Sequence, residues 1–280
     1  MSHAISLSQL VTELTTVADR WTERWPGLPS ILNMCLKRLE LNADTTLAPR
    51  TQAIANCLLD LCEWIEKNGQ SQANRNQEPA YHNRLHFADT MISLSYLLIA
   101  QRQWKALSQS PLSESHIEWV SLLSMLAHDL MHDGKTNRYP QELEQRSVNH
   151  LKPFMNNHGL DQADQVLITQ LILHTDANSI IANHARIKIR AFDLNDPDCL
   201  TILITESDIL ASCLSATQTV RTQNLYQEWL LLYPEQAQQL LQPKNRLLFL
   251  ERIALFSSPA SKLLTIDQDR QAQIDAIQTK

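Results

Sequence analysis

Glycine is nearly missing from this chain, with four residues in 280. That scarcity excludes a fold built on many tight turns. Aromatic residues reach only 6%. The tryptophans, at positions 21, 25, 64, 104, 119 and 229, are scattered and read as packing residues rather than a platform for stacking bases. Positive charge is not in excess: the formal net charge is -6. This weighs against a nucleic-acid polymer as partner, though not against a small anionic one, because bound metal ions can supply a local positive field. The cysteines, Cys35, Cys57, Cys62, Cys199 and Cys213, are odd in number and include no Cys-x-x-Cys pair. They read as buried free thiols in a reducing compartment, not as a disulfide framework. No stretch reaches the roughly 18 apolar residues that span a bilayer. The first 25 residues lack a basic start followed by an apolar core. The expectation is a soluble cytoplasmic protein with no membrane partner.

Leu, Ala, Gln and Glu fill what remains, in long stretches of helical period. The pattern predicts an all-α fold, with helices over 5–24, 29–41, 47–67, 84–105, 114–131, 141–157, 162–174, 197–216, 219–232 and 244–256. Between them, 68–79 is polar, contains Gly69 and Pro79, and reads as a loop. The stretch 178–195 holds no single period, and the tail after Ser257 is expected to close with a short helix. No linker forces a split, so 1–280 reads as one multi-helix bundle.

Two strings stand out. Tyr81-His82-Asn83-Arg84-Leu85-His86 is the first, and His128-Asp129-Leu130-Met131-His132-Asp133-Gly134-Lys135-Thr136-Asn137 is the second. Imidazole and carboxylate suit zinc, manganese and magnesium. Asp129 falls on the apolar stripe of Leu122, Met125 and Leu126. Asp208 falls on that of Leu200, Leu203, Ile204 and Ala211. A carboxylate on a core stripe is costly unless it is paired or bound to a cation. Asp89, three residues after His86, is placed to hold the His86 ring from behind. His150, His158 and His184 read as solvated residues.

The two strings resemble those of the HD-domain metal-dependent phosphohydrolases. More narrowly, they are similar to the catalytic domain of class I 3',5'-cyclic nucleotide phosphodiesterases, over roughly residues 81–210. That family carries Tyr-His-Asn-x-x-His-x-x-Asp, then His-Asp-x-x-His-Pro-Gly-x-x-Asn, a later Thr-Asp and a distal Asp. The matching residues here are Tyr81, His82, Asn83, His86 and Asp89, then His128, Asp129, His132, Gly134 and Asn137. Thr175-Asp176 and Asp208 follow. The resemblance implies a compact helical HD-type bundle, with N-terminal helices in 1–70 packing on a metal-binding core at 80–256. It implies one ion (zinc, iron or manganese) held by His86, His128, Asp129 and Asp208. A second ion (magnesium or manganese) would be reached by Asp129 and mostly by water. It also implies a metal-bridging hydroxide as nucleophile, with Asp129 and His132 beside the reaction and His82 as the acid that protonates the leaving oxygen. Tyr81, Asn83 and Asn137 would line the substrate side.

The chain departs from that pattern in three places. Asp133 stands where the family has Pro, and His174 stands before Thr175-Asp176, so Asp133 and His174 are candidate extra ligands. No Gln-x-x-Phe element for gripping a purine is evident downstream of Asp208, so poor discrimination between purines is expected. The expected function is hydrolysis of a 3',5'-cyclic nucleotide to the 5'-nucleotide. The alternatives are an HD-type phosphohydrolase acting on a nucleoside monophosphate, a guanosine polyphosphate or another small phosphoester, or a non-catalytic module that senses metal or ligand. No oligomeric state follows from the sequence.

Overall fold

In the structure, a computed structural model, residues 5–21, 23–43, 47–108 and 115–279 are described. Fourteen α-helices and no strand are found among the described residues. In chain order they are α1 (Leu7–Arg20), α2 (Leu28–Arg38), α3 (Pro49–Ala73), α4 (Arg84–Leu107), α5 (Ser115–Ala127), α6 (Glu142–Asn157) and α7 (Gln162–Leu173). Then come α8 (Ile180–Arg186), α9 (Pro197–Cys213), α10 (Gln218–Trp229), α11 (Pro234–Leu240), α12 (Pro243–Arg252), α13 (Pro259–Leu263) and α14 (Ile266–Gln278). Proline opens many of them. Pro29, Pro49, Pro197, Pro234, Pro243 and Pro259 all sit in the first two helical positions, where the missing N–H has no intrahelical acceptor to lose. No single helix among the described residues is long and apolar enough to cross a membrane.

The centre is α4. Every residue from Arg84 to Gln101 is buried, as befits a helix covered on all sides. It packs on α1, α2, α5, α9 and α13, and α5 and α9 also meet each other. One apolar cluster runs from Leu10 in α1 to Ile266 in α14. A smaller one joins Ile209 and Cys213 of α9 to Leu250, Ala254 and Ile274. All five cysteines are buried and free. The consequence for function is that the start of α4, the end of α5 and the middle of α9 converge.

Several boundaries differ from the sequence expectation. The supposed loop at 68–79 begins as helix, because α3 runs on to Ala73. Gly69 lies inside that helix for a packing reason. A Cβ there would lie 2.6 Å from Cδ of Arg84, so only glycine lets the Arg84 side chain cross α3. That guanidinium is then held by Glu66, Gln70 and Glu78. Helix α5 stops at Ala127 rather than 131. Met131 and Gly134, with φ of 63° and 75°, turn the chain back. Ala177–Ser179 forms one 3-10 turn before α8. Helix α11 was not anticipated, and the tail carries two helices, α13 and α14.

Gly69→Ala tests the crossing. Helix propensity alone favours alanine by about 1 kcal/mol. Overpacking against a pinned Arg84 costs about 1–3 kcal/mol. The expected result is a lower thermal midpoint. A midpoint that rises would show that Arg84 yields.

Candidate metal centre and its cavity

Four ligand-type side chains meet where the three central helices converge. His86 lies in the first turn of α4, His128 and Asp129 directly follow α5, and Asp208 lies in α9. One ligand atom from each falls within 4.8 Å of the others. His86 Nε2 is 3.3 Å from His128 Nε2, 3.1 Å from Asp129 Oδ2 and 3.5 Å from Asp208 Oδ1. His128 Nε2 is 3.2 Å from each of the same two oxygens. Four ligands placed tetrahedrally at 2.0–2.1 Å from a zinc ion lie about 3.3 Å apart, so the observed edges fit one ion.

The tautomer fits as well. His128 Nδ1 is 2.6 Å from the Met125 carbonyl, so Nδ1 carries the proton and Nε2 turns its lone pair inward. No Lys or Arg is paired with Asp129 or Asp208 among the described residues; histidines alone face them. Burial opposes a charged His128, yet the pull of Asp129 and Asp208 outweighs it and raises its pKa well above the usual value. The cluster thus calls for positive charge. Buried His and Asp groups here could hold a metal ion.

A second group adjoins the first. His82, His132 and Glu228 also offer atoms within 4.8 Å of one another. His82 Nδ1 is 2.5 Å from Glu228 Oε1. Glu228 Oε2 accepts the main-chain N–H groups of Tyr81 and His82, at 2.7 and 2.9 Å. Glu228 therefore orients the His82 ring, leaving Nε2 directed to Asp129 Oδ2 at 3.8 Å. Burial pushes His82 toward the neutral form. The Glu228 bond and the Asp129 charge outweigh that and raise its pKa. His132 stacks on His82 with centroids 3.5 Å apart, and its Nδ1 accepts from the Gly134 N–H. Burial and the His82 charge push His132 down to about 4. Gly134 has a φ of 75°, and a Cβ there would press on Glu228 Cγ at 3.1 Å.

Both groups open on one cavity of about 440 Å³. Near the ligands its wall carries Asn137, Glu144, Thr175 and Asp176. Burial, with Asp176 and Asp129 nearby, raises Glu144 to about 7. Leu225, Trp229, Arg246 and Phe249 line the same cavity.

The remaining sequence expectations fare unevenly. Asp89 does not hold His86; its carboxylate forms a buried fork with Arg221 Nε and Nη2. Asn83 does not line this cavity. It caps α4, accepting from the Leu85 and His86 N–H groups and donating to the Pro79 and Ala80 carbonyls. Asn137 lines the cavity, but its amide is engaged with Glu144 and the Leu143 N–H. Asp133 faces away, paired with Lys135 and Arg146. His174 caps the end of α7 and lines a separate recess with Lys152 and Gln170, so it joins no ligand group. His184 is buried, not solvated, with Nδ1 2.6 Å from Ser257 Oγ. Tyr81 does line the cavity, with its hydroxyl 2.9 Å from Ser212 Oγ.

Glu228, Glu144, Arg221 and Arg246 were not singled out by sequence. The first two carry no local signal, being one carboxylate among many on amphipathic helices.

No protein-family model matches the chain. No curated protein matches it. An all-helical fold around a His/Asp cluster is compatible with an HD domain.

Proposed function

We propose that this chain is a metal-dependent phosphohydrolase of HD type that opens a 3',5'-cyclic nucleotide to the 5'-nucleotide. The observation that carries it is the pairing of a four-ligand cluster with an oriented imidazole on one cavity. His86, His128, Asp129 and Asp208 would hold zinc, iron or manganese. Asp129, with Glu144 and Asp176 on the same wall, would serve a second ion, magnesium or manganese. Bound there, the ions would acidify a water and neutralise charge developing on phosphorus.

The chain's own residues supply the rest. Glu228 fixes His82 so that its Nε2 can give a proton to the departing ester oxygen. His132 packs on that ring and keeps it in place. The neutral, buried state of His132 leaves His82 as the proton donor. The α4 cap at Asn83 holds the turn carrying His82 against the helix carrying His86. The cavity volume lies in the range for a nucleotide-sized ligand, and Leu225, Trp229 and Phe249 in its lining suit a flat group.

A turnover screen of the metal-loaded protein against cyclic and linear nucleotides tests this. Hydrolysis of a cyclic nucleotide, with the 5'-monophosphate as product, is expected. Turnover confined to a nucleoside monophosphate or a guanosine polyphosphate would keep the metal chemistry and replace the substrate. Tight metal retention with no turnover of any phosphoester would overturn the enzyme reading.

A further inference from the structure

Helix α10 carries the glutamate that orients His82, yet it has almost no apolar seat. Arg221 is its one buried residue. No residue from Gln218 to Trp229 belongs to an apolar cluster or packs against one. A surface helix is ordinarily held by an apolar stripe, so something else fixes this one. Thr217, just before it, donates its hydroxyl to the Ala211 carbonyl. The Tyr226 hydroxyl accepts from Gln238 of α11. Those bonds tie α10 to its neighbours in the chain. To α4 and the turn before it, α10 is joined among the described residues by hydrogen bonds from two side chains, Arg221 and Glu228.

Arg221 is 3% exposed. Its Nε lies 2.5 Å from Asp89 Oδ2 and its Nη2 lies 2.8 Å from Asp89 Oδ1. Glu228 accepts from the Tyr81 and His82 main-chain N–H groups and from His82 Nδ1. The spacings match. Arg221 and Glu228 are seven residues apart, about two turns along one face of a helix. Their partners Asp89 and His82 are also seven apart, and the two pairs run in opposite chain directions. A shift of α10 at Arg221 therefore draws Glu228 away from His82. A two-bond arginine–carboxylate fork sets rotation as well as distance. Asp89 does not line the cavity, so it reaches the reaction only through its neighbours.

We propose that Asp89 and Arg221 are positioning residues for the proton donor. Their fork sets α10 on the start of α4 so that Glu228 meets His82. The inference rests on the proposed hydrolysis, in which His82 is the acid.

The test uses the metal-loaded full chain and two variants. Arg221→Lys keeps the charge and removes the fork. Asp89→Asn keeps the shape and removes the charge. Each should lose at least about tenfold in kcat on the cyclic nucleotide, far less on a nitrophenyl phosphodiester, and no metal. In a His82→Ala background, Arg221→Lys should cost nothing further, because the donor it positions is gone. A second readout needs no turnover. In the zinc-loaded protein, the proton shared by His82 Nδ1 and Glu228 should give a far-downfield NMR resonance, identified by its loss in His82→Ala. It should weaken or vanish in both variants. Should Asp89→Asn fail to fold, Arg221→Lys decides. An equal loss on both substrates, a further loss in the His82→Ala background, reduced metal content, or an intact resonance in the folded variants would overturn the inference. Loss of the resonance in the variants of a protein that turns over no phosphoester would instead overturn the hydrolytic reading. The register between α10 and α4 would then still stand.

Discussion

Asp129→Ala is expected to strip the protein of bound metal and to abolish hydrolysis. Asp129 Oδ2 lies 3.1 Å from His86 Nε2, 3.2 Å from His128 Nε2 and 3.8 Å from His82 Nε2, so it joins the ligand cluster to the proton donor. Asp129 and Asp208 both line the cavity that Glu144 and Asp176 share, and of the two it is Asp129 whose charge Glu144 feels. Metal-ion stabilisation of a phosphoryl transition state is worth several kcal/mol, so kcat/KM should fall by at least roughly 10³-fold. The fold should persist, because Asp129 follows α5 and takes no part in the apolar cluster. Elemental analysis of purified wild type and variant, with far-ultraviolet circular dichroism as the control, decides it. A folded variant with full metal content would remove Asp129 from the bridging position, and Glu144 would then be the next carboxylate to replace.

His86, His128 and Asp129 were legible because their chemistry is written in two short strings. Asp208 was legible for a different reason: a carboxylate on the apolar face of α9 is an anomaly that helical period alone exposes. The helical fold followed from the same periodicity and from the scarcity of glycine. The failures share one cause. Asp89 is three residues from His86, and sequence proximity suggested that pair. In a helix buried on every side, its carboxylate instead found Arg221, far along the chain in α10. Glu228 lies on that same helix and reaches His82 only because α10 folds back to line the cavity. Arg246 comes from α12, and its position depends on two carbonyls at the end of α9. Each of these is a tertiary pairing with no local imprint. Asn83 is the exception. An asparagine directly before a helix is a recognised cap, and that local meaning was available before any substrate role was invoked. Gly69 went the other way: a glycine in a polar stretch reads as a turn, and only the crossing Arg84 side chain explains it inside a helix.

His82→Ala should keep its metal and lose most of its activity on the natural ester. His82 is absent from the four-ligand group, so metal content should match the wild type. Its Nδ1 is engaged by Glu228, and its Nε2 lies 3.8 Å from Asp129 Oδ2. Removing a general acid costs roughly 10²–10⁴-fold in rate. The size of the loss should depend on the leaving group. A ribose alkoxide departs poorly without a proton, whereas a nitrophenolate hardly needs one. The variant should therefore retain far more activity on a nitrophenyl phosphodiester than on the cyclic nucleotide. Glu228→Gln should shift activity in the same direction by a smaller factor. Glutamine still offers one oxygen to Nδ1 but cannot accept the two main-chain N–H bonds that its Oε2 partner now takes. A loss equal on both substrates would mean that His82 binds the phosphate or supports the turn. His132 is a poor substitute donor, since burial and the His82 charge hold it down to about 4 and its Nδ1 already accepts from Gly134. In that case the proton would have to come from water, and the His82–Glu228 pair would be a clamp on the phosphate rather than an acid and its support.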